Sequence, residues 1–190
     1  MTGGGSGIGR LMCLRFARLG ATVVTWDINR YSLLVGRSSV MSLRSRIGNE
    51  ETVELVRKEG YKAIPFTVDM SSRYIFYAYI LYCTVLCRED IYRAAEKTKE
   101  EVGLVTILVN NAGIVSGSTL LETPDTKIVK TFEVRIFKDV TLTLLSLLQV
   151  NILAHFWTIK AFMPDMIKHQ NGHIVNVASL AGHSGTNKLV

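Results

Sequence analysis

The chain has 190 residues, 48% of them hydrophobic, and a formal net charge of +6, which suits one domain with a buried core. Its Lys and Arg residues are scattered along predicted helices without interleaved aromatic residues, so we expect no nucleic-acid partner. The chain has three cysteines, Cys13, Cys83 and Cys87, and their spacing is not that of a zinc site. An odd number of cysteines favours a reducing compartment, and the spacing predicts no metal site. We also expect no secretion signal or membrane anchor at the start of this sequence.

The most informative segment is glycine-rich and lies near the start of the chain, TGGGSGIG over residues 2–9. Apolar residues at helical spacing follow it, and Gly20 is a natural helix end. Glycines at such a turn let the backbone approach a pyrophosphate, which the free N–H groups and dipole of a helix N-terminus stabilise. Because Gly9 is followed by Arg10 and Leu11, a Walker-type phosphate loop, which needs Lys and Ser or Thr there, is excluded.

The strand predicted next, ATVVTW over residues 21–26, ends at Asp27. An acidic residue about 20 positions after such a loop is typical of one that binds the adenosine ribose hydroxyls. Its charge repels a 2′-phosphate, so we expect NAD rather than NADP unless a nearby cation such as Arg30 reverses the local field. The alternative for Asp27 is a simple turn residue at the strand end.

Predicted strands and helices then alternate along the chain, which is typical of an α/β fold with a parallel sheet. Ligands in such sheets bind at the carboxyl ends of the strands. Pro65 predicts an edge position for its strand. The predicted elements are a helix over residues 49–59 capped by Asn49 and ended by Gly60, a strand over 62–68, a helix over 88–102, a strand over 105–109, a helix starting at Pro124, a helix over 151–168 and a strand over 173–178.

Five motifs together resemble the short-chain dehydrogenase/reductase superfamily: TGGGSGIG, WDIN, VDM, NNAG and GHIVNVAS. The longer segments ILVNNAGIVSG, NILAHFWTIKAFMPDMIK and GHIVNVASLAGHSG are most similar to its 16C family of retinol and 17-beta-hydroxysteroid dehydrogenases. The resemblance implies a Rossmann-like, doubly wound parallel sheet with helices on both faces. Against the family pattern we expect an incomplete sheet, with only Met1 left of the first strand and the C-terminal part missing.

Three segments, at about residues 31–48, 73–87 and 135–150, have no counterpart in the family pattern. Removing them restores family-like joins, so we interpret them as insertions without function in one partial dinucleotide-binding domain, residues 1–190. The alternative for the apolar stretch YIFYAYILYCTVLC, residues 74–87, is a segment that dips into a membrane. It is shorter than the roughly 18 to 20 apolar residues that span a bilayer.

The resemblance also implies which residues contact the cofactor. Asp69 would meet the adenine amino group, although capping of a strand end is the alternative. NNAG, residues 110–113, would border the ribose, although these residues alone indicate only a turn. The implied cofactor-binding residues are Gly3, Ser6, Gly7, Ile8, Gly9, Asp27, Asp69, Asn111, Ala112 and Gly113.

Two residues are implied for catalysis. Ser179 would orient the substrate oxygen and Asn151 would hold a water molecule, whereas the alternatives are a turn or helix cap for each. The family takes the hydroxyl proton with the tyrosine of a Tyr-x-x-x-Lys motif, whose phenolate the lysine stabilises, since a free tyrosine has a pKa of about 10. No such motif follows Ser179, so half of the catalytic set is present.

The function implied by the resemblance is an NAD-dependent oxidoreductase that acts on a hydrophobic alcohol or carbonyl compound such as retinol, retinal or a steroid. A homodimer is a further expectation. The family resemblance implies association with the endoplasmic reticulum membrane or lipid droplets, and a cytoplasmic location if the anchor is absent. The alternatives are a catalytically inactive protein that retains partial nucleotide binding, and a chain that does not fold stably.

Overall fold

The computed structural model describes residues 1–27, 39–68, 70, 80–113 and 149–183. Strands and helices alternate through these residues, as predicted. The π-helical turn Gln149–Leu153 leads into the last helix, and a 3₁₀ turn, Leu180–Gly182, follows the last strand. The described elements are α1 (Gly7–Arg18), β1 (Val23–Asp27), α2 (Ser39–Lys58), β2 (Ala63–Thr67), α3 (Ile80–Val102), β3 (Ile107–Asn110), α4 (Ala154–Lys168) and β4 (His173–Asn176).

The described strands form two parallel pairs. β1 pairs with β2, from Val23 opposite Ala63 onward, and β3 pairs with β4, from Ile107 opposite His173 onward. This parallel arrangement with intervening helices confirms the predicted α/β, Rossmann-like class.

Residues 1–3 lie between the two pairs and join them. The Met1 carbonyl accepts a hydrogen bond from the Trp26 amide at 2.8 Å, and the Thr2 amide donates to the Val109 carbonyl at 3.0 Å. Thr2 and Trp26 form a parallel bridge. Residues 1–3 therefore connect β1 to β3, in the order β2, β1, residues 1–3, β3, β4.

Two separate cores show that helices cover both faces of the strands. On one face α1 and α2 pack on β1 and β2 through Cys13, Ala17, Val53, Val56 and Ala63. On the other face α3 and α4 pack through a second set of buried side chains, which includes Trp26, Ile91, Ala95, Leu108, Phe162 and Met166.

Trp26 is the central side chain of the second core. Its ring centroid lies 5.6 Å from that of Phe162 on α4, an aromatic contact that adds to the burial of apolar surface. Its Nε1–H donates to Thr98 Oγ1 on α3 at 3.1 Å, which satisfies the one polar atom of a side chain that is 3% exposed. Trp26 thereby holds β1 against both helices of this face.

Two predicted helix starts are wrong. α2 begins at Ser39 instead of Asn49, and α3 begins at Ile80 instead of Arg88. No proline lies in either stretch, so neither helix is forced to begin at the predicted position. Asn49 does not cap a helix, because it lies inside α2; its Nδ2 instead donates to the Phe66 carbonyl at 3.2 Å.

Other predicted helix boundaries agree more closely with the structure. Gly20 and Gly60 follow α1 and α2 with φ of 89° and 87°, the left-handed conformation that glycine adopts without strain at helix ends. The predicted helix over residues 151–168 consists of part of the π-helical turn and α4. The helix predicted at Pro124 lies outside the described residues. Among the helices that are described, none combines the length and apolar character needed to cross a membrane.

Candidate nucleotide-binding site

The glycine-rich loop continues from the residues that join β1 to β3 and leads into α1. Gly3 has φ of 65°, and a Cβ atom there would lie 2.9 Å from Ala112 Cα. A Cβ atom at Gly5 would lie 2.8 Å from the Asn49 amide nitrogen, and one at Gly9 would overlap the Gly3 carbonyl oxygen. Gly3, Gly5 and Gly9 are therefore required by close contacts, because a larger residue would push the loop apart, whereas Gly7 has open space around its Cβ position and is distinguished by its φ of 51°.

The first turn of α1 is open to a ligand. Ser6 precedes the helix in an extended conformation, and its side chain makes no capping hydrogen bond. The first N–H groups of a helix have no partner within it, so those of the exposed Gly7 and Ile8 remain available to an anion. Ile8 is 64% exposed, which leaves this end of the helix accessible.

Asp27 lies at the carboxyl end of β1 and contacts the loop directly. Its Oδ2 accepts a hydrogen bond from the Gly5 amide at 2.7 Å. A charged acceptor makes such a bond short and strong. The structure therefore brings Asp27 and the glycine loop together, as the sequence predicted.

Thr2 joins the loop to the NNAG segment. Its hydroxyl oxygen accepts hydrogen bonds from the amides of Asn111 at 3.0 Å and Ala112 at 2.9 Å. In return, Asn111 Nδ2 donates to the carbonyls of Thr2 and Gly3 at 3.1 and 3.2 Å. Sequence reasoning did not assign Thr2 a role, although its place at the start of the glycine motif was a usable signal.

Arg10 links the glycine loop to α2 by hydrogen bonds, and the sequence analysis did not assign it a role either. Its guanidinium donates to the Gly5 carbonyl at 2.8 Å, to Thr52 Oγ1 at 3.0 Å and to Glu51 Oε2 at 2.8 Å. Because these bonds occupy the guanidinium, Arg10 holds the loop in shape beside Asp27.

The two implied catalytic residues lie on different elements. Asn151 is exposed in the π-helical turn before α4, and a Cβ atom at Gly113 would lie 3.5 Å from its Oδ1. Ser179 is exposed after β4, and its Oγ accepts from the Ala181 amide at 3.2 Å. Asn151 therefore borders the end of the NNAG segment, whereas Ser179 caps a short turn.

A buried network connects the elements that carry these residues. Asn110, fully buried at the end of β3, accepts from Thr158 Oγ1 of α4 at 2.7 Å through its Oδ1. Its Nδ2 donates to Asn176 Oδ1 of β4 at 2.9 Å. The Asn110 side chain thus links β3, α4 and β4. It helps to position Asn151, which lies before α4, and Ser179, which lies after β4.

His155 is a further neighbour of the site that the sequence did not single out. Its pKa is lowered, mainly by burial, against a hydrogen bond with the Ala112 backbone that raises it. The ring is therefore neutral at pH 7 and adds no cation beside the NNAG segment.

Two residues named in the sequence analysis, Asp69 and Arg30, lie outside the described residues. Within the described ranges, no group of three His, Cys, Asp or Glu residues is arranged to hold a metal ion.

The described loop fits a dinucleotide. The loop can pack this closely only with glycine at the positions where a Cβ atom would collide. The open first turn of α1 can receive a pyrophosphate, and Asp27 lies at the adjacent strand end. This is the arrangement of a βα unit that binds the adenosine half of such a cofactor.

Comparisons with known proteins agree with this geometry. The solved structure of NAD⁺-bound xylitol dehydrogenase matches 99% of this chain and 55% of its own, with a TM-score of 0.66 and 23% identity. A metagenomic short-chain oxidoreductase in complex with NADP matches 99% of this chain and 64% of its own, with a TM-score of 0.65 and 25% identity. Both neighbours share the fold of this chain, and one of them is bound to NAD⁺ and the other to NADP.

Curated relatives are more similar in sequence. Mouse estradiol 17-beta-dehydrogenase 11 is 45% identical over 97% of this chain and 46% of its own length. Human epidermal retinol dehydrogenase 2 is 39% identical over the whole chain and 46% of its own length. The chain therefore spans about half the length of the curated relatives it matches. The family model for short chain dehydrogenases matches residues 72–190, more than half of the sequence, and the chain therefore belongs to the short-chain dehydrogenase family.

Proposed function

We propose that residues 1–190 bind NAD and form the nucleotide-binding part of an oxidoreductase for a hydrophobic alcohol or carbonyl compound such as retinol, retinal or a steroid. The observation that carries this proposal is the hydrogen bond from the Gly5 amide to Asp27 Oδ2. It holds a carboxylate beside the phosphate-binding loop, where the adenosine ribose is bound in such folds. The substrate class rests on the retinol and estradiol dehydrogenases among the relatives.

Each part of the site has a separate task in this proposal. The open first turn of α1 binds the pyrophosphate, and Asp27 accepts hydrogen bonds from the ribose hydroxyls. Asn111, Ala112 and Gly113 border the other ribose, while Asp69 contacts the adenine amino group. NAD, when bound, supplies the carbon that accepts the hydride.

Two more residues are assigned to the substrate side. Ser179 donates a hydrogen bond to the substrate oxygen through its hydroxyl proton, which its bond from Ala181 leaves free, since the Ser179 oxygen is the acceptor there. Asn151 holds a water molecule next to Gly113. Proton transfer from the alcohol then needs a tyrosine and lysine pair of the kind that the family places after this serine.

The substitution Asp27→Asn tests the cofactor preference. The amide oxygen of the introduced side chain can still accept from Gly5, so the loop is kept, but the negative charge that repels a 2′-phosphate is removed. We expect NAD to bind the natural chain about tenfold or more tightly than NADP, and the substitution to reduce this ratio by about tenfold. Calorimetric titration with both nucleotides measures the ratio.

Asp165→Asn is the matched control. Asp165 is a partly exposed carboxylate that pairs with Lys99 Nζ at 3.0 Å near the end of α4. The same chemical change at this position should leave the NAD to NADP ratio unchanged. An unaltered ratio in Asp27→Asn, or an equal effect in Asp165→Asn, would contradict the role given to Asp27.

A second candidate function is nucleotide binding without hydride transfer. It is favoured by the cap that Ser179 makes to Ala181, since a serine in this position has a sufficient structural role. Titration of the NAD-bound chain with retinol or estradiol, followed by fluorescence, separates the two, because substrate binding does not need the tyrosine and lysine pair that proton transfer needs. Saturable substrate binding that is weakened in Ser179→Ala supports the oxidoreductase, and NAD binding without substrate binding supports the second candidate.

We further propose that α4 forms a homodimer contact. Phe156, Met163 and Ile167 are 58%, 39% and 66% exposed, and their spacing of seven and four residues places them on one face of the helix. Phe156→Glu is expected to weaken self-association by about tenfold or more, as measured by sedimentation equilibrium. Leu180→Glu, at a residue that is 83% exposed outside α4, should have no effect; equal dimerisation of both variants would contradict the assignment.

Association with the endoplasmic reticulum membrane or lipid droplets is proposed on the family resemblance alone.

A further inference from the structure

Two arginine–glutamate pairs join the segment of α1 to that of α2, and they repeat with the same spacing in both. Arg10 Nη2 lies 2.8 Å from Glu51 Oε2, and Arg18 Nη2 lies 2.6 Å from Glu59 Oε1. The second pair comes eight residues later in both segments, which corresponds to about 12 Å along a helix. The first pair therefore lies at the end of the helices next to the glycine loop, and the second lies at the opposite end.

The pair next to the loop differs from the other pair because Arg10 also binds backbone groups. Its Nη2 donates to the Gly5 carbonyl at 2.8 Å and to the Gly48 carbonyl at 3.3 Å. α2 packs closely on the loop here, since a Cβ atom at Gly48 would lie 2.5 Å from the Gly5 carbonyl oxygen. Glu51 is thus carried by a turn of α2 that is held against the glycine loop.

Gly5 also connects this pair to Asp27. Its amide donates to Asp27 Oδ2 at 2.7 Å, and its carbonyl accepts from Arg10. Because only the backbone of one residue separates the two hydrogen bonds, the Glu51 carboxylate lies within roughly 13 Å of the Asp27 carboxylate. The two acidic side chains and Arg10 therefore form one group of charges beside the loop.

Resting on the proposed binding of the NAD ribose at Asp27, we propose that Glu51 is a second residue that selects NAD over NADP. Asp27, Arg10 and Glu51 together carry a net negative charge, whereas without Glu51 the charge of Arg10 cancels that of Asp27. A phosphate monoester carries roughly two negative charges at pH 7. The Glu51 charge therefore disfavours a 2′-phosphate, which is selection by repulsion of the wrong ligand.

The exposure of the pair indicates that Glu51 acts through its charge. The side chains of Arg10 and Glu51 are 25% and 51% exposed, and ion pairs so accessible to water contribute little to stability. Arg10 keeps its bonds to the Gly5 carbonyl and Thr52 Oγ1 independently of Glu51. Neutralising Glu51 should therefore leave the loop in place and change only the electrostatic potential at its surface.

The substitution Glu51→Gln tests this role, because the amide oxygen of the new side chain can still accept from Arg10. Calorimetric titration with NAD and NADP gives the ratio of the two affinities, in which the effect on the shared pyrophosphate cancels. In about 0.01 M salt we expect the preference for NAD to fall about threefold or more, through tighter binding of NADP. The Debye length is about 30 Å at 0.01 M salt and about 3 Å at 1 M, so the effect should disappear in 1 M salt.

Glu59→Gln is the matched control, because it neutralises the equivalent pair at the far end of the same helices. It should leave the ratio unchanged at both salt concentrations. An equal change in the two variants, an unchanged ratio in Glu51→Gln, or a loss of affinity for both nucleotides that does not depend on salt overturns the inference.

Asp27→Asn, titrated alongside, separates this inference from the proposed function. A chain that binds NAD and whose ratio responds to Asp27→Asn but not to Glu51→Gln overturns the role of Glu51 alone. A natural chain that does not bind NAD overturns the proposed function and the role of Glu51 together.

Discussion

Gly9→Ala is expected to abolish nucleotide binding and to destabilise the chain. The added methyl group would overlap the Gly3 carbonyl oxygen and lie 2.7 Å from Asn111 Nδ2. Both groups are held by the hydrogen bond between them at 3.2 Å, so neither can move without opening the contact between the glycine loop and the NNAG segment. We expect a loss of about 3 kcal/mol in the free energy of unfolding, since the collision is with fixed groups, and a fall in NAD affinity of roughly 100-fold or more.

Denaturant unfolding gives the stability change, and calorimetric titration gives the change in affinity. Gly182→Ala is the matched control, because it lies in a 3₁₀ turn, has no positive φ and has open space around its Cβ position. This control should bind NAD like the natural chain and unfold at the same denaturant concentration. NAD binding at natural affinity by Gly9→Ala would show that the loop does not form the cofactor site.

The parts of this site that the sequence predicted are those set by local backbone chemistry. A glycine-rich loop before an amphipathic stretch predicted α1, and the β-branched run after Gly20 predicted a strand that ends at Asp27. The contact between Asp27 and Gly5 follows from the adjacency of strand ends in a parallel sheet. These features need only the geometry of a turn, a helix and the next strand.

The remaining features depend on contacts between residues far apart in the chain. Thr2 receives hydrogen bonds from Asn111 and Ala112, which lie 109 and 110 positions later, and Arg10 binds Thr52 and Glu51. No periodicity encodes such pairs, because each one depends on which elements become neighbours. The helix starts at Ser39 and Ile80 were mispredicted for another reason. The residues just before the predicted starts contain no proline that would end a helix, and the family pattern does not describe these residues.

Loss of Asn110 is expected to separate the two halves of the site. Asn110→Ala removes the hydrogen bonds to Thr158 and Asn176 and leaves a cavity in a fully buried position. Thr158 Oγ1 can turn to the His155 carbonyl, 3.0 Å away, and Asn176 is exposed to water, so neither partner is left entirely unsatisfied. We therefore expect a cost of about 2–3 kcal/mol in the free energy of unfolding, less than for a buried group with no alternative partner.

Thr158→Val is the more informative partner substitution, because it keeps the volume and leaves Asn110 Oδ1 buried without its donor. It should cost about 1–3 kcal/mol, whereas Thr158→Ser, which keeps the hydroxyl, should cost less. Denaturant unfolding of Asn110→Ala, Thr158→Val and the double variant forms a thermodynamic cycle. The two side chains share one hydrogen bond. The free energy of unfolding of the double variant should therefore exceed, by at least about 1 kcal/mol, the value expected from adding the two single effects. Strict additivity would mean that Asn110 stabilises β3 and β4 without acting on α4, and that the position of Asn151 is set by packing alone.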